Sequence, residues 1–224
     1  MHSGEGRSRA YLGLPGVQQE LLEAVFAVNK NIVLVLSNGR PLTIPWAAQN
    51  IPTILEGWHL GTQSGNALAQ VLYGDYNPSG KLPMSFPRSL GQLPLYYNYK
   101  NTGRPSPVKP GQVFWTHYID QKNTPQYTFG FGLSYTTFSY SKPMVVHTYS
   151  IDKQVTVKVK VSNTGKREGK ETVQLYLRDI YASVIRPIRE LKGFVQVVLE
   201  PGQTKEITFT LKDQELGFFN NQGK

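Results

Sequence analysis

Near its start the chain reads Ser3-Gly4-Glu5-Gly6-Arg7-Ser8-Arg9. A carboxyl group between two glycines sits on backbone that bends freely, which suits a proton donor carried on a loop. The two arginines add hydrogen-bond donors for an oxygen-rich ligand. They also pull against the first role, because a nearby cation favours the ionised form of a carboxyl group. From residue types alone, a solvated surface charge is the usual reading of such a glutamate.

A second stretch, GDYNPSGKLPMSFP at 74–87, has the two glycines and lysine of a phosphate loop. Its spacing is wrong for that chemistry. A Walker loop places four residues before the Gly-Lys pair and a Ser or Thr after it. Here five residues separate Gly74 from Gly80, and Leu82 takes the hydroxyl position. Pro78 and Pro83 also remove backbone donors that would cradle a phosphate. The stretch reads instead as a helix exit, with Gly74 stopping the helix and Asn77-Pro78-Ser79-Gly80 turning the chain.

Other chemistry is sparse. His2, His59, His117 and His147 are scattered without metal-ligand spacing, so no metal site and no cofactor are expected. Ser134 in GFGLSY lacks the glycine pattern of a nucleophile elbow. Trp58, Phe114 and Trp115 offer aromatic faces that stack on sugar rings, although packing is the default use of such residues.

Composition narrows the class. The chain has 224 residues, enough for one large domain or two small ones, with no cysteine and hence neither disulfides nor thiol catalysis. Lys and Arg number 24 against 15 Asp and Glu, a net charge of +9. That excess is scattered, and Lys166, Arg167 and Lys170 alternate with Glu168 and Glu171, so no nucleic-acid partner is expected. No run approaches the roughly 18 apolar residues that span a bilayer. The opening MHSGEGRSRA has neither the charged start nor the apolar run of a secretion signal.

The elements that must position these residues change period along the chain. Over 1–74 the pattern alternates helix and strand: VQQELLEAVFAV puts Val17, Leu21, Ala24, Val25 and Val28 on one helical face, and NIVLVLSN reads as a strand buried on both faces. IPTILEGW gives a second strand, and TQSGNALAQVLYG a helix with Ala67, Val71 and Leu72 inward. Pro41 and Pro45 read as breaks between them. These are βαβ units of a partial α/β sandwich, an open and mostly parallel sheet with flanking helices and too few strands to cover itself. Residues 75–132 read as an irregular strap, too rich in Tyr, Phe and Trp to be disordered. From 133 to 224 the period becomes two, in TTFSYS, KQVTVKVKVSN, ETVQLYLRD, GFVQVVLE and TKEITFTL. That is an all-β, immunoglobulin/fibronectin III-like β-sandwich with a last strand still owed.

Several long motifs point the same way. EGWHLGTQSGNALAQVLYGDYNPSGKLPMSFP, YTFGFGLSYTTF, VSNTGKREGKETVQLYLRD and RPIRELKGFVQVVLEPGQTKEITFTL follow one another in this chain. Together they resemble the C-terminal half of a glycoside hydrolase family three β-glucosidase, with its fibronectin type III-like terminal domain. The resemblance implies an N-terminal (β/α)₈ barrel that carries the aspartate nucleophile and is absent from this sequence, so the chain is expected to be a C-terminal fragment. It implies that Glu5, in a stretch that matches the family's S-E-G-x-x-R or G-E-G-x-x-R pattern, is the general acid/base. Arg7, Arg9, Trp58 and Trp115 become substrate-binding candidates. An oligosaccharide or β-glucoside substrate, a periplasmic or secreted location and a homodimer follow as expectations, and the fragment alone should be inactive. A β-xylosidase of the same family and a non-catalytic carbohydrate-binding or scaffold module are the alternatives.

Overall fold

A computed structural model describes residues 6–104, 114–148, 154–220 and 222–223. The chain forms two compact units. The first takes in residues up to Tyr73 with Leu82–Tyr97 and Arg104–Phe131; the second takes in Gly74–Lys81, Asn98–Gly103 and the chain from Gly132 onward. The strap is therefore shared between two cores.

In the first unit, helix α1 (Gln18–Val28) leads to strand β1 (Val33–Leu36), helix α2 (Pro45–Asn50), strand β2 (Thr53–Glu56) and helix α3 (Ser64–Tyr73). β1 and β2 pair in parallel, Val33 opposite Thr53 through Leu36 opposite Glu56. Pro45 opens α2 rather than breaking the chain, because a first helical residue has no intrahelical partner for its N–H. The core is Leu22, Leu36, Leu42, Ile44, Ala47, Ile51 and Phe86, with Phe26, Trp46, Trp58 and Tyr127 packed against it.

Phe86 comes from the strap, whose two arms bond to each other. Leu82 and Phe86 donate their N–H groups to the carbonyls of Phe131 and Tyr127, each at 2.8 Å. Helix orientation departs from the sequence expectation. α1 turns Leu22 and Phe26 inward, while Val17, Leu21, Val25 and Val28 stay exposed, Val28 at 87%. α3 has no buried residue, and Leu72 is exposed. Both helices carry apolar surface that their own unit does not cover.

The second unit is antiparallel throughout. Strand β3 (Phe138–Tyr140) and strand β4 (Met144–Thr148) pair with successive stretches of strand β5 (Gln154–Asn163), whose other edge pairs with strand β8 (Thr204–Leu211). Strand β6 (Gly169–Leu177) pairs with strand β7 (Glu190–Leu199), with a bulge between Leu175 and Tyr176. A short helix α4 (Asp213–Leu216) follows β8. Alternate residues point inward, so Val157 and Val161 of β5 meet Val173, Val197, Leu199, Ile207 and Phe209 in one core. This is the fibronectin III-like layer pair.

The suspected phosphate loop braces this second unit. Gly74 takes φ +84°, beyond the last residue of α3. Asn77 donates to the Glu168 carbonyl (2.9 Å), and its Oδ1 accepts from Ser134 Oγ and the Tyr135 N–H, both at 2.8 Å. Lys81 Nζ donates to the Gly132 carbonyl (3.0 Å) and pairs with the buried Glu171 (3.4 Å). A lysine held this way serves the fold, not a nucleotide.

Candidate functional site

The first unit holds a cavity of about 650 Å³ at the carboxyl end of β1, bounded by α1 and by the segment at Arg7–Tyr11. In open parallel sheets the strand ends are where backbone loops splay and ligands gather. Leu21, Val25 and Leu34 make the apolar wall; Arg7, Arg9, Asn38, Arg40 and His59 make the polar one.

Three turns build the polar wall. After β1, Asn38 donates from Nδ2 to the Arg40 carbonyl (2.8 Å) and to Glu56 Oε2 (3.3 Å). After β2, Glu56 Oε1 accepts the Trp58 N–H (2.9 Å), and Ser37 Oγ donates to the Trp58 carbonyl (3.1 Å). These bonds hold Trp58 at φ +47°, a left-handed conformation uncommon for a bulky residue. Burial raises the Glu56 pKa, and the bonds from the Trp58 N–H and from Asn38 offset part of that rise. His59 lies over Gly39 so closely that a Cβ there would stand 2.9 Å from its Nε2, so any larger residue would have to displace the imidazole.

The third turn is the N-terminal segment itself. Arg40 Nη1 donates to Ser8 Oγ at 3.1 Å, and Arg40 Nη2 donates to the Arg9 carbonyl. Arg9 Nη1 reaches the Gly13 carbonyl at 3.5 Å. The Thr43 N–H donates to the Leu12 carbonyl (2.9 Å), a second tie between the same two segments.

Of the residues singled out from the sequence, Arg7 and Arg9 line the cavity. Glu5 lies outside the described residues, two positions before Arg7. Trp58 does not line it; its ring packs on the core, tilted against Phe86 at 5.9 Å. Trp115 sits on the strap, 36% exposed, and its carbonyl faces His117 Nδ1 at 2.9 Å. Sequence reading passed over Asn38, Arg40 and Glu56. The available signal was position: polar residues directly after an apolar strand of a parallel pair sit where such sheets place their sites. Among the described residues no group of three or more His, Asp or Glu could hold a metal ion, and no helix is long and apolar enough to cross a membrane.

Residues 1–135 match the profile of the glycosyl hydrolase family 3 C-terminal domain. The chain belongs to glycosyl hydrolase family 3. Residues 171–224 match the fibronectin type III-like domain, in keeping with the second unit. A periplasmic beta-glucosidase of Salmonella typhimurium is 49% identical over 222 residues, covering 98% of this chain and 29% of the relative. A beta-xylosidase of Formosa agariphila is 48% identical, covering 99% of this chain and 30% of the relative. The crystal structure of a beta-glucosidase from Listeria innocua in complex with glucose superposes with a TM-score of 0.93 at 40% identity, covering 99% of this chain and 31% of that one. The chain thus spans just under a third of the length of the family members it matches.

Proposed function

We propose that this chain is the C-terminal portion of a retaining β-glucosidase that hydrolyses terminal non-reducing β-D-glucosyl residues. It supplies the acid/base, Glu5, and not the nucleophile. In such a reaction one carboxyl group protonates the departing oxygen and later activates water, while a second carboxylate about 5–5.5 Å away forms the covalent intermediate. The second group, an aspartate, belongs to a preceding barrel, which is the chain's first partner. Arg7 and Arg9 stand on the substrate side; the partly exposed Trp115 and the half-buried Trp58 are assigned to the same side through their ring faces. A location outside the cytoplasm and a homodimer complete the reading.

The observation that carries it is the 49% identity to the periplasmic beta-glucosidase across nearly the whole chain. The placement of Arg7 and Arg9 on the cavity wall supports it. The 48% identical beta-xylosidase favours a second reading within the same chemistry, a pentose in place of glucose.

Paired aryl β-glucoside and β-xyloside assays test both. The 224-residue chain alone should release no aryl alcohol, whereas the chain joined to its barrel should, with the faster sugar deciding between the two readings. Turnover by the isolated chain overturns the division of labour between two carboxyl groups.

A further inference from the structure

We propose that Arg40 is a positioning residue for the general acid: its guanidinium group clamps the Ser8–Arg9 backbone and so fixes the loop that carries Glu5. The inference rests on the acid/base reading of Glu5 and names the group that aims it.

The need for a clamp follows from the sequence. Glu5 lies between Gly4 and Gly6 in the sequence, and Gly6 takes φ +68°, a left-handed conformation that glycine enters at little cost. A general acid works only within hydrogen-bond reach of the oxygen it protonates. An error of 1 Å in such placement costs roughly 100-fold in rate.

Arg40 meets the need geometrically. Its two terminal nitrogens engage successive residues, Ser8 through the hydroxyl and Arg9 through the carbonyl, across 32 and 31 positions of sequence. A planar fork with donors in fixed relation holds a strand of backbone in orientation as well as position. The fork is itself anchored: the Arg40 carbonyl accepts from Asn38 Nδ2 at 2.8 Å, and Asn38 is tied to Glu56 at the end of β2. A chain of bonds therefore runs from the paired ends of β1 and β2 to the third and fourth residues after Glu5. These two bonds are the route by which Arg40, itself on the cavity wall, acts on the loop.

The test uses the full-length enzyme, this chain with its preceding barrel, and compares Glu5→Ala, Arg40→Ala, Arg40→Lys and Ser8→Ala. The readout is kcat/KM, which reports the first bond-breaking step, for phenyl and 2,4-dinitrophenyl β-glucosides. Phenolate needs a proton as its C–O bond to the sugar breaks; dinitrophenolate leaves without one. Glu5→Ala should lose on the order of 100-fold or more on the phenyl substrate and little on the other. Arg40→Ala should show the same split, about 10- to 100-fold on phenyl and under about 3-fold on dinitrophenyl. Ser8→Ala, which removes one of the two bonds, and Arg40→Lys, which keeps the charge without the fork, should split the substrates in the same direction by less. They carry the test if Arg40→Ala does not fold. Equal losses on both substrates, or none, in the Arg40 and Ser8 variants while Glu5→Ala splits them overturn the clamp alone. No split in Glu5→Ala overturns the acid/base reading, and the clamp with it.

Discussion

In the antiparallel unit the inward residues of facing strands find one another, and Val161 and Leu199 reach full burial within some forty residues of sequence. In the parallel unit β1 is as apolar as any strand of the sandwich, yet Val33 and Val35 remain exposed, as do Val17, Leu21 and Val25 of the neighbouring helix. Its core closes only by borrowing Phe86 from the strap. The contrast has a topological cause. Antiparallel neighbours joined by short turns cover each other, so this layer pair is complete over a local stretch of chain. A parallel sheet needs crossovers on both faces and strands on both edges, and two strands provide neither. Exposed apolar side chains grouped around the cavity mouth, Leu21, Val25 and Val35 among them, suit contact with further polypeptide. On the proposed function they form the surface that receives the preceding polypeptide.

The three tryptophans make the comparison measurable, because Trp46, Trp58 and Trp115 all fall in the parallel unit. Their fluorescence follows that unit, while the β signal in far-ultraviolet circular dichroism comes mainly from the sandwich, which holds six of the eight strands among the described residues. The largest effect belongs to Asn163 of the sandwich, 1% exposed. Its Nδ2 donates to the carbonyls of Arg167 (2.7 Å) and Leu199 (2.9 Å), and its Oδ1 accepts from Thr136 Oγ1 (2.7 Å) and the Gly165 N–H (3.0 Å). Asn163→Ala strands several of these groups in a dry core at about 1–3 kcal/mol each. The denaturation midpoint by circular dichroism should drop by at least about 3 kcal/mol equivalent, with the tryptophan transition nearly unmoved. A matched fall in both signals would mean that the two cores do not melt separately.

A matched pair of leucines comes next. Leu199→Ala, in the closed core, should cost about 2–5 kcal/mol. Leu21→Ala, at a position 62% exposed, should cost under about 0.5 kcal/mol in the chain alone. The same Leu21→Ala in the full-length enzyme should approach the buried value, and a cost that stays negligible there would show that nothing covers this stripe.

How much of this was legible beforehand follows the same divide. The strands β5, β6, β7 and β8 lie where period-two alternation put them, because in a two-layer sandwich the residues that alternate are the residues that are buried. β4 was missed: it is short, entered through Lys142-Pro143, and its Met144-Val145-Val146 run does not alternate. In α1 the apolar residues form two stripes, and sequence periodicity selected the wider one as the inward face. Which stripe meets the core is decided by Trp46, stacked edge-on against Phe26 at 5.5 Å, a contact that no local pattern encodes. The candidate site divides likewise. Glu5, Arg7 and Arg9 announce themselves as a contiguous motif, whereas Arg40 and Glu56 matter through bonds between distant segments. Arg7 and Arg9, singled out by their motif, do line the cavity, whereas the bonds that tie their segment to the ends of β1 and β2 carry no local signature.

The smallest predicted effect is one of pH, and it sharpens the comparison by window. Burial raises the pKa of Tyr140 in the sandwich, reinforced by its bond to Glu171 (2.8 Å) and by that carboxylate's charge. Burial likewise raises Glu56 in the parallel unit, from an ordinary value of 4.5. In both cases the folded state holds the proton more tightly than the unfolded chain does. Each contribution is therefore complete below the unfolded pKa and is lost as pH rises through the folded one. For Glu56 the loss begins above 4.5, so the tryptophan transition should weaken from pH 4.5 toward 7, and Glu56→Gln should flatten that slope. For Tyr140 it begins above about pH 10, and Tyr140→Phe should remove it. Tyr127, also raised by burial, gives the parallel unit an alkaline loss of its own, so the acid limb is the one that tells the units apart. A tryptophan transition that strengthens from pH 4.5 to 7, with Glu56→Gln indistinguishable from the parent, would mean that the Glu56 carboxylate is stabilised at the end of β2 more than burial penalises it, and the bonds from Asn38 and the Trp58 N–H would then be the dominant influence on that turn.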